Sequence, residues 1–176
     1  HYGQEMFEGL KAFRQQDGSV ALFRVERHAA RLAKGAERLC MLALPTEHFV
    51  DAMKAFVSVE SSWVPSSPNT SLYLRPTLIA TEAFLGVRPS NKYLFFVIGS
   101  PVGSYYGGDT LKPVRIWVER EYVRAARGGL GATKAGANYA ASLLAATNAK
   151  KAGYDQVLWL DAKEHAFVEE VGTMNL

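Results

Sequence analysis

The sequence is short of most features that would declare a function directly. It has a single cysteine, Cys40, so no internal disulfide and no cysteine-based metal site can form, as suits a reducing compartment. Its four histidines, His1, His28, His48 and His165, are scattered, and no two fall close enough on one element to share a metal; no metal is expected. No apolar run reaches the ~18 residues of a bilayer crossing, and the start carries no signal-peptide pattern, so no membrane partner and a cytoplasmic location are expected. Lysines and arginines are interleaved with acidic residues, so the net charge of +3 does not gather into a nucleic-acid footprint, although a mild basic excess suits anionic substrates. Walker motif, zinc spacing, G-x-S-x-G elbow and internal repeat are all missing. What remains is a globular sequence of 176 residues, 48% hydrophobic, enough for one large domain or two small ones.

In chain order, His1 to Arg14 reads as extended chain interrupted by Gly3 and Gly9, and Asp17-Gly18 signals a hairpin into Val20 to Phe23. Leu32, Ala36 and Leu39 predict a helix over Glu26 to Leu39. Thr46 is placed to cap a second helix whose stripe is Phe49, Ala52, Met53, Phe56 and Val57. Ser71 to Thr81 alternates, with Leu72, Leu74, Leu78 and Ala80 toward a core and Tyr73, Arg75, Thr77 and Ile79 on the other face; Pro76 suggests an edge or a bulge. Leu85-Gly86-Val87 forms a turn before a strand over Tyr93 to Ile98. Ser100 to Gly108 is rich in turn formers, giving a domain of residues 1–102, a linker over 103–112 and a second domain from 113. Val114, Ile116 and Val118 continue as a strand, Asn138 caps a helix over Tyr139 to Ala152 that Gly153 ends, and Gln156 to Asp161 pairs with Ala166 to Val171.

The stretch around which the chain is organised is G-G-L-G-A-T-K-A-G-A-N-Y, Gly128 to Tyr139. Glycines admit a flat ligand, and a desolvated lysine loses its proton readily and becomes a nucleophilic amine. On these residues alone a glycine-rich phosphate loop, or a turn with a solvated lysine, is the favoured reading. In the same way Arg31 reads as a solvated helix residue, Arg75 as part of a solvated strand face, and Glu170 as a strand-end glutamate.

Taken with E-V-G-T-M-N at Glu170 to Asn175 and H-Y-G-Q-E-M-F-E-G-L-K-A-F at the start, G-G-x-G-x-x-K-x-G-x-N-Y resembles the branched-chain-amino-acid aminotransferases, which are fold-type-IV pyridoxal-phosphate enzymes. The resemblance covers essentially the whole chain. It implies an α+β fold with a smaller N-terminal domain and the first part of a larger cofactor-binding domain, residues 113–176, continuing beyond Leu176. It further implies pyridoxal 5′-phosphate as cofactor, a homodimer, and ping-pong transfer of an amino group from leucine, isoleucine or valine to 2-oxoglutarate. By resemblance Lys134 is the amine that holds the cofactor and shuttles a proton, Glu170 faces the ring nitrogen, Tyr139 meets the ring oxygen, Arg31 grips the phosphate, and Thr173 stands nearby. Tyr2, Phe7, Tyr73, Tyr105 and Met174 border an apolar pocket, with Arg75 near the substrate carboxylate, Leu85 and Val87 reaching into a partner's pocket, and Tyr105 a gate or simply a surface anchor. Two departures stand out: the family often has K-x-G-G-N-Y, whereas Ala137 replaces the second glycine here, and Arg127 sits just before Gly128-Gly129. A D-amino-acid transaminase or an aminodeoxychorismate lyase would use the same lysine and glutamate; a non-catalytic anion-binding module would use Lys134 only as a charge.

Overall fold

A computed structural model describes residues 2–103 and 113–174. The chain divides into two compact units, His1–Asp109 and Thr110–Leu176, a division inside the stretch read as a linker.

The first unit is an antiparallel sheet with two helices on one face. Its central strand β4 (Ser71–Ala80) pairs along its full length with β5 (Tyr93–Val102), and on its other side with β1 (Glu5–Phe7) and β2 (Leu10–Arg14), while β3 (Val20–Leu22) lies outside β2. The predicted hairpin joins β2 to β3: Gly18 takes φ 83°, and the Asp17 carboxylate accepts from the Ser19 N–H at 2.9 Å.

Pro76 overturns the expectation of an edge or bulge. It lies in the middle of the central strand and is fully buried. There is no bulge, because Glu5 to Phe7 face Ile79 to Thr77 and Leu10 to Ala12 face Leu74 to Leu72 in one unbroken register. The missing proline N–H is felt across the ladder instead. Glu8 N–H donates to the Pro76 carbonyl at 2.8 Å, but the return bond cannot form, and β1 and β2 part at Glu8-Gly9.

Helices α1 (Val25–Arg38) and α2 (Thr46–Val59) cover the face that carries Met6, Leu10, Leu72, Leu74 and Leu78. Val25, Ala29, Leu32 and Ala36 of α1 and Phe49, Met53 and Val57 of α2 supply the helical half of this core at the predicted spacing. Thr46 is not the cap: it is the first helical residue, and Pro45, which has extended backbone, occupies the N-cap without a side-chain bond. The opposite face of the sheet presents Phe7, Tyr73, Arg75, Leu94, Phe96 and Ile98.

In the second unit β6 (Ile116–Val118) runs parallel to β7 (Gln156–Leu160) through the crossover helix α3 (Gly136–Lys151), and β8 (Val168–Val171) returns antiparallel to β7. Ala145, Ala149, Val157 and Trp159 form its core, with Trp117, Tyr122 and Tyr154 packed against them. The aliphatic half of the β6 alternation, Ile116 and Val118, points outward, while Trp117 and the buried Glu119 point in. Trp117 Nε1 and the backbone N–H groups of Glu121 and Tyr122 satisfy that carboxylate. Gly153 ends α3 at φ 85°, as expected. No helix among the described residues is long and apolar enough to cross a membrane.

Candidate active site

Lys134 occupies the last turn of loop before α3, between the buried Thr133 and Ala135. Because α3 begins at Gly136, Tyr139 lies within its first turn, and its ring folds back over the residue that precedes the helix. Lys134 Nζ donates to Tyr139 Oη at 2.8 Å and stands 5.1 Å from the ring centroid. Both side chains are half-buried.

Asn138 does not cap this helix. The helix starts two residues before it, and its amide donates backward to the Leu130 and Thr133 carbonyls, each at 2.8 Å, pinning the loop that carries Lys134. The glycines have separate reasons. Gly128 takes φ 79° in the turn closed by Gly129 N–H to the Ala126 carbonyl, and a Cβ on Gly131 would stand 2.5 Å from that of Ala125. Ala137 is helical and exposed, so the family's second glycine is not needed at this position. An open groove of about 510 Å³ runs beside the glycine-rich run, bordered by Ala125 to Gly129, Asp161 to Lys163 and Glu169.

Glu170 lies on β8 opposite Trp159, half-buried, and its carboxylate is ion-paired with Arg124 Nε. The sequence reading missed this partner, since nothing in the spacing of Arg124 links it to a strand 46 residues on. Beyond Glu170 the chain turns sharply: Gly172 has φ 58°, Met174 N–H donates to the Val171 carbonyl at 2.9 Å, and Thr173 is exposed at the tip. Trp159 Nε1 donates to the Gly172 carbonyl at 3.1 Å, tying the turn to the core. The loop between β7 and β8 is built on Asp161, whose carboxylate accepts backbone N–H groups from Phe167, Glu164, Ala166 and Lys163. Those four bonds hold its carboxyl well below the usual aspartate range.

In the first unit, Phe7, Tyr73 and Arg75 come together on the sheet face away from the helices. Arg75 Nη2 donates to Tyr73 Oη at 2.9 Å, and the guanidinium carbon stands 4.3 Å from the Phe7 ring centroid. Gly9 makes room for this cluster: a Cβ there would run into Tyr73 Oη. Tyr2 reaches a different place, accepting from the Gly86 N–H at 3.2 Å. That bond brings it to the Leu85-Gly86-Val87 turn, whose two aliphatic residues are 97% and 87% exposed. The turn is closed by Glu82. A fork from Arg88, then the Asn91 N–H, pull its carboxyl down to about 2, and Arg88 stacks on Phe84. Tyr105 lies outside the described residues.

Arg31 emerges from α1 toward Glu8, the residue at the break between β1 and β2. Nε and Nη2 each donate to a different Glu8 oxygen at 2.6 Å, and His28 Nδ1 lies 2.9 Å from the same carboxylate. Glu8 is fully buried, and its partners lie on a helix 20 and 23 residues further on, so nothing in the spacing marked it. Burial alone would raise its pKa; the hydrogen bonds and charges of Arg31 and His28 outweigh burial and lower it. Among the described residues no three histidine, cysteine or carboxylate side chains gather to hold a metal.

This chain has wide similarity to known proteins. The Amino-transferase class IV family profile matches residues 5–176. The chain is 56% identical over 176 residues to branched-chain-amino-acid transaminase 1 of Bacillus subtilis, covering 100% of this chain and 49% of that protein. It is 55% identical over 177 residues to the branched-chain-amino-acid aminotransferase of Mycolicibacterium smegmatis, covering 100% and 48%. Among solved structures, the Escherichia coli branched-chain amino acid aminotransferase superposes with TM-score 0.77 at 26% identity, over 97% of this chain and 54% of that one. A second branched-chain amino acid aminotransferase, solved with pyridoxamine 5′-phosphate, gives 0.80 at 29%, over 97% and 54%. The chain thus spans about half the length of the curated relatives it matches, and the α+β, fold-type-IV architecture expected from the motifs is the one its structural neighbours have. With its profile match running from the first strand to the last residue, the chain belongs to the class IV aminotransferases.

Proposed function

We propose that the protein is a pyridoxal 5′-phosphate-dependent branched-chain amino acid transaminase, passing the amino group of leucine, isoleucine or valine to 2-oxoglutarate. The observation that carries this reading is the Lys134–Tyr139 pair, an amine and a phenol 2.8 Å apart on a loop pinned by Asn138. The donor set fits the cofactor: an amine for its aldehyde, a phenol for its ring oxygen, and a carboxylate, Glu170, for its ring nitrogen. When bound, the cofactor supplies an electron-withdrawing ring that makes the substrate Cα–H acidic.

The chain's own residues do the rest. Lys134 would hold the cofactor and, as a free amine, would take the proton from the substrate Cα and deliver it to the cofactor carbon that carries the aldehyde. Tyr139 accepts from Nζ, and a phenol can donate as well as accept, so one side chain can orient both the amine and the ring oxygen. Arg124 fixes the Glu170 carboxylate, and Thr173 stands in the turn that follows. Arg31 takes the phosphate. Arg75, steadied by Tyr73 and Phe7, takes a substrate carboxylate, while Phe7, Tyr105 and Met174 line the side-chain pocket; Tyr2, bonded to the Gly86 N–H, belongs with the Leu85–Val87 turn. A lining of this kind separates aliphatic groups by only about 1–3 kcal/mol per methylene, so discrimination among the three donors is loose. We place the enzyme in the cytoplasm, in branched-chain amino acid biosynthesis, as a homodimer in which the exposed Leu85 and Val87 complete the partner's pocket.

Borohydride treatment of the intact, cofactor-loaded protein tests the central assignment. A pyridoxyl adduct is expected on the peptide carrying Lys134, and Lys134→Ala is expected to lower turnover roughly 10³-fold or more. An adduct on another lysine, or turnover that survives the substitution, rejects it.

A further inference from the structure

The fully buried Glu8 has no part in the chemistry just described, yet its carboxylate receives a guanidinium fork, an imidazole and a backbone N–H. Its position follows from strand alternation, since Met6 and Leu10 on either side of it face the same helical layer and the register across β4 is unbroken. The missing ladder bond opposite the proline parts β1 from β2, and at the break Glu8 turns its side chain into the layer beneath α1. There Arg31 approaches with the flat edge of its guanidinium, Nε and Nη2 each 2.6 Å from a carboxylate oxygen, while His28 and the Gly9 N–H bind the Oε2 side at 2.9 and 3.3 Å. A fork of this kind fixes the plane of the guanidinium as well as its position. The Arg31 side chain remains 52% exposed although one whole edge is committed.

We propose that Glu8 is a positioning residue, which holds the Arg31 guanidinium in a preset plane for an incoming phosphate monoester; this rests on the reading that Arg31 receives the cofactor's phosphate. Charge alone does not explain the arrangement. A carboxylate behind the arginine opposes an anion in front of it, and burying that carboxylate is costly unless it is well paired. What it contributes is geometry: an arginine already ordered before its ligand arrives loses less side-chain freedom on binding.

The test compares affinities for pyridoxal 5′-phosphate and for pyridoxal, which lacks the phosphate, in the intact protein. The ratio isolates the phosphate contact, and a merely structural defect lowers both affinities together. Arg31→Ala is expected to collapse the ratio. Glu8→Gln is expected to lower it about tenfold with the pyridoxal affinity changed less than about twofold, within what freezing one arginine side chain can contribute. If Arg31→Ala leaves the ratio intact, the phosphate assignment of Arg31 is wrong and this proposal goes with it. If Arg31→Ala collapses the ratio but Glu8→Gln leaves it unchanged or raises it, only the positioning role is overturned. Should Glu8→Gln fail to fold, Glu8→Asp keeps the charge on a shorter stem; a ratio between those of the wild type and Arg31→Ala supports the role, and a wild-type ratio overturns it.

Discussion

Gly9→Ala puts the packing of the aromatic face to a direct test. A methyl group at Gly9 would overlap Tyr73 Oη and stand 2.9 Å from Cζ and 3.2 Å from Cε2, all inside ordinary contact. Gly9 does not have positive φ, so the substitution carries no backbone strain and its cost is steric alone. Overpacking of this order costs about 1–3 kcal/mol. The half-buried Tyr73 ring can swing toward solvent, which puts the figure at the low end, and the smaller entropy of the unfolded alanine chain returns about 0.4–1 kcal/mol. Adding the Arg75 bond to the hydroxyl, which the displaced ring gives up at about 0.5–1 kcal/mol, brings the expected net loss to about 1 kcal/mol. Tyr73→Phe alone removes that hydroxyl and costs about 0.5–1 kcal/mol, since the bond is partly exposed. In the double variant the nearest clashing atom is gone, so the two losses do not add: a coupling of about 1 kcal/mol is expected in urea unfolding of the four proteins. Additivity within about 0.5 kcal/mol would refute the contact.

Two further outcomes concern the second unit. Asp161→Asn removes an acceptor charge from the four N–H groups that build the β7–β8 loop, and it should lower the melting temperature at neutral pH. Because the folded carboxyl titrates below its ordinary value of 3.8, the wild-type advantage is complete above that value and disappears as pH falls through the lowered one. Melting curves of the two proteins should therefore converge in acid, and a constant gap would contradict the account. Trp159→Phe shrinks a side chain only 1% exposed and leaves the Gly172 carbonyl without its donor, so a loss of about 2–3 kcal/mol is expected in the same unfolding assay; a change under about 0.5 kcal/mol would show that the indole does not anchor the turn.

Residues whose role depends on periodicity were legible in the sequence. Leu72, Leu74 and Leu78 alternate into the core, Phe49, Met53 and Val57 recur along one helix face, and Tyr73 and Arg75 project together because two residues of strand return a side chain to the same face. What stayed hidden depends on partners that only the folded backbone brings into place. Asn138 has the composition of a cap, but its amide finds two loop carbonyls because the helix begins two residues before it, at Gly136. Arg124 acquires meaning only when β8 brings Glu170 to it, and Asp161 only when the loop wraps around it. Glu8 reads as an ordinary strand charge until α1 lays Arg31 and His28 against it.

The placement of Pro76 links the fold to the candidate site. A proline in a fully paired central strand forfeits one ladder bond, and strands normally confine it to edges for that reason. Here the loss falls on one side only, since β5 pairs with β4 without interruption and the gap opens toward Glu8-Gly9. The two residues at the gap serve opposite faces of the sheet, as the alternation of Met6 and Phe7 before them requires. Glu8 directs a carboxylate into the helix layer, where Arg31 and His28 neutralise it, and Gly9 gives up its side chain so that Tyr73 can lie over it and meet Arg75. Alternation at a gap that forfeits one hydrogen bond, worth about 1 kcal/mol net, thus sets two polar clusters on opposite faces of the same sheet: the arginine assigned to a phosphate and the arginine assigned to a substrate carboxylate.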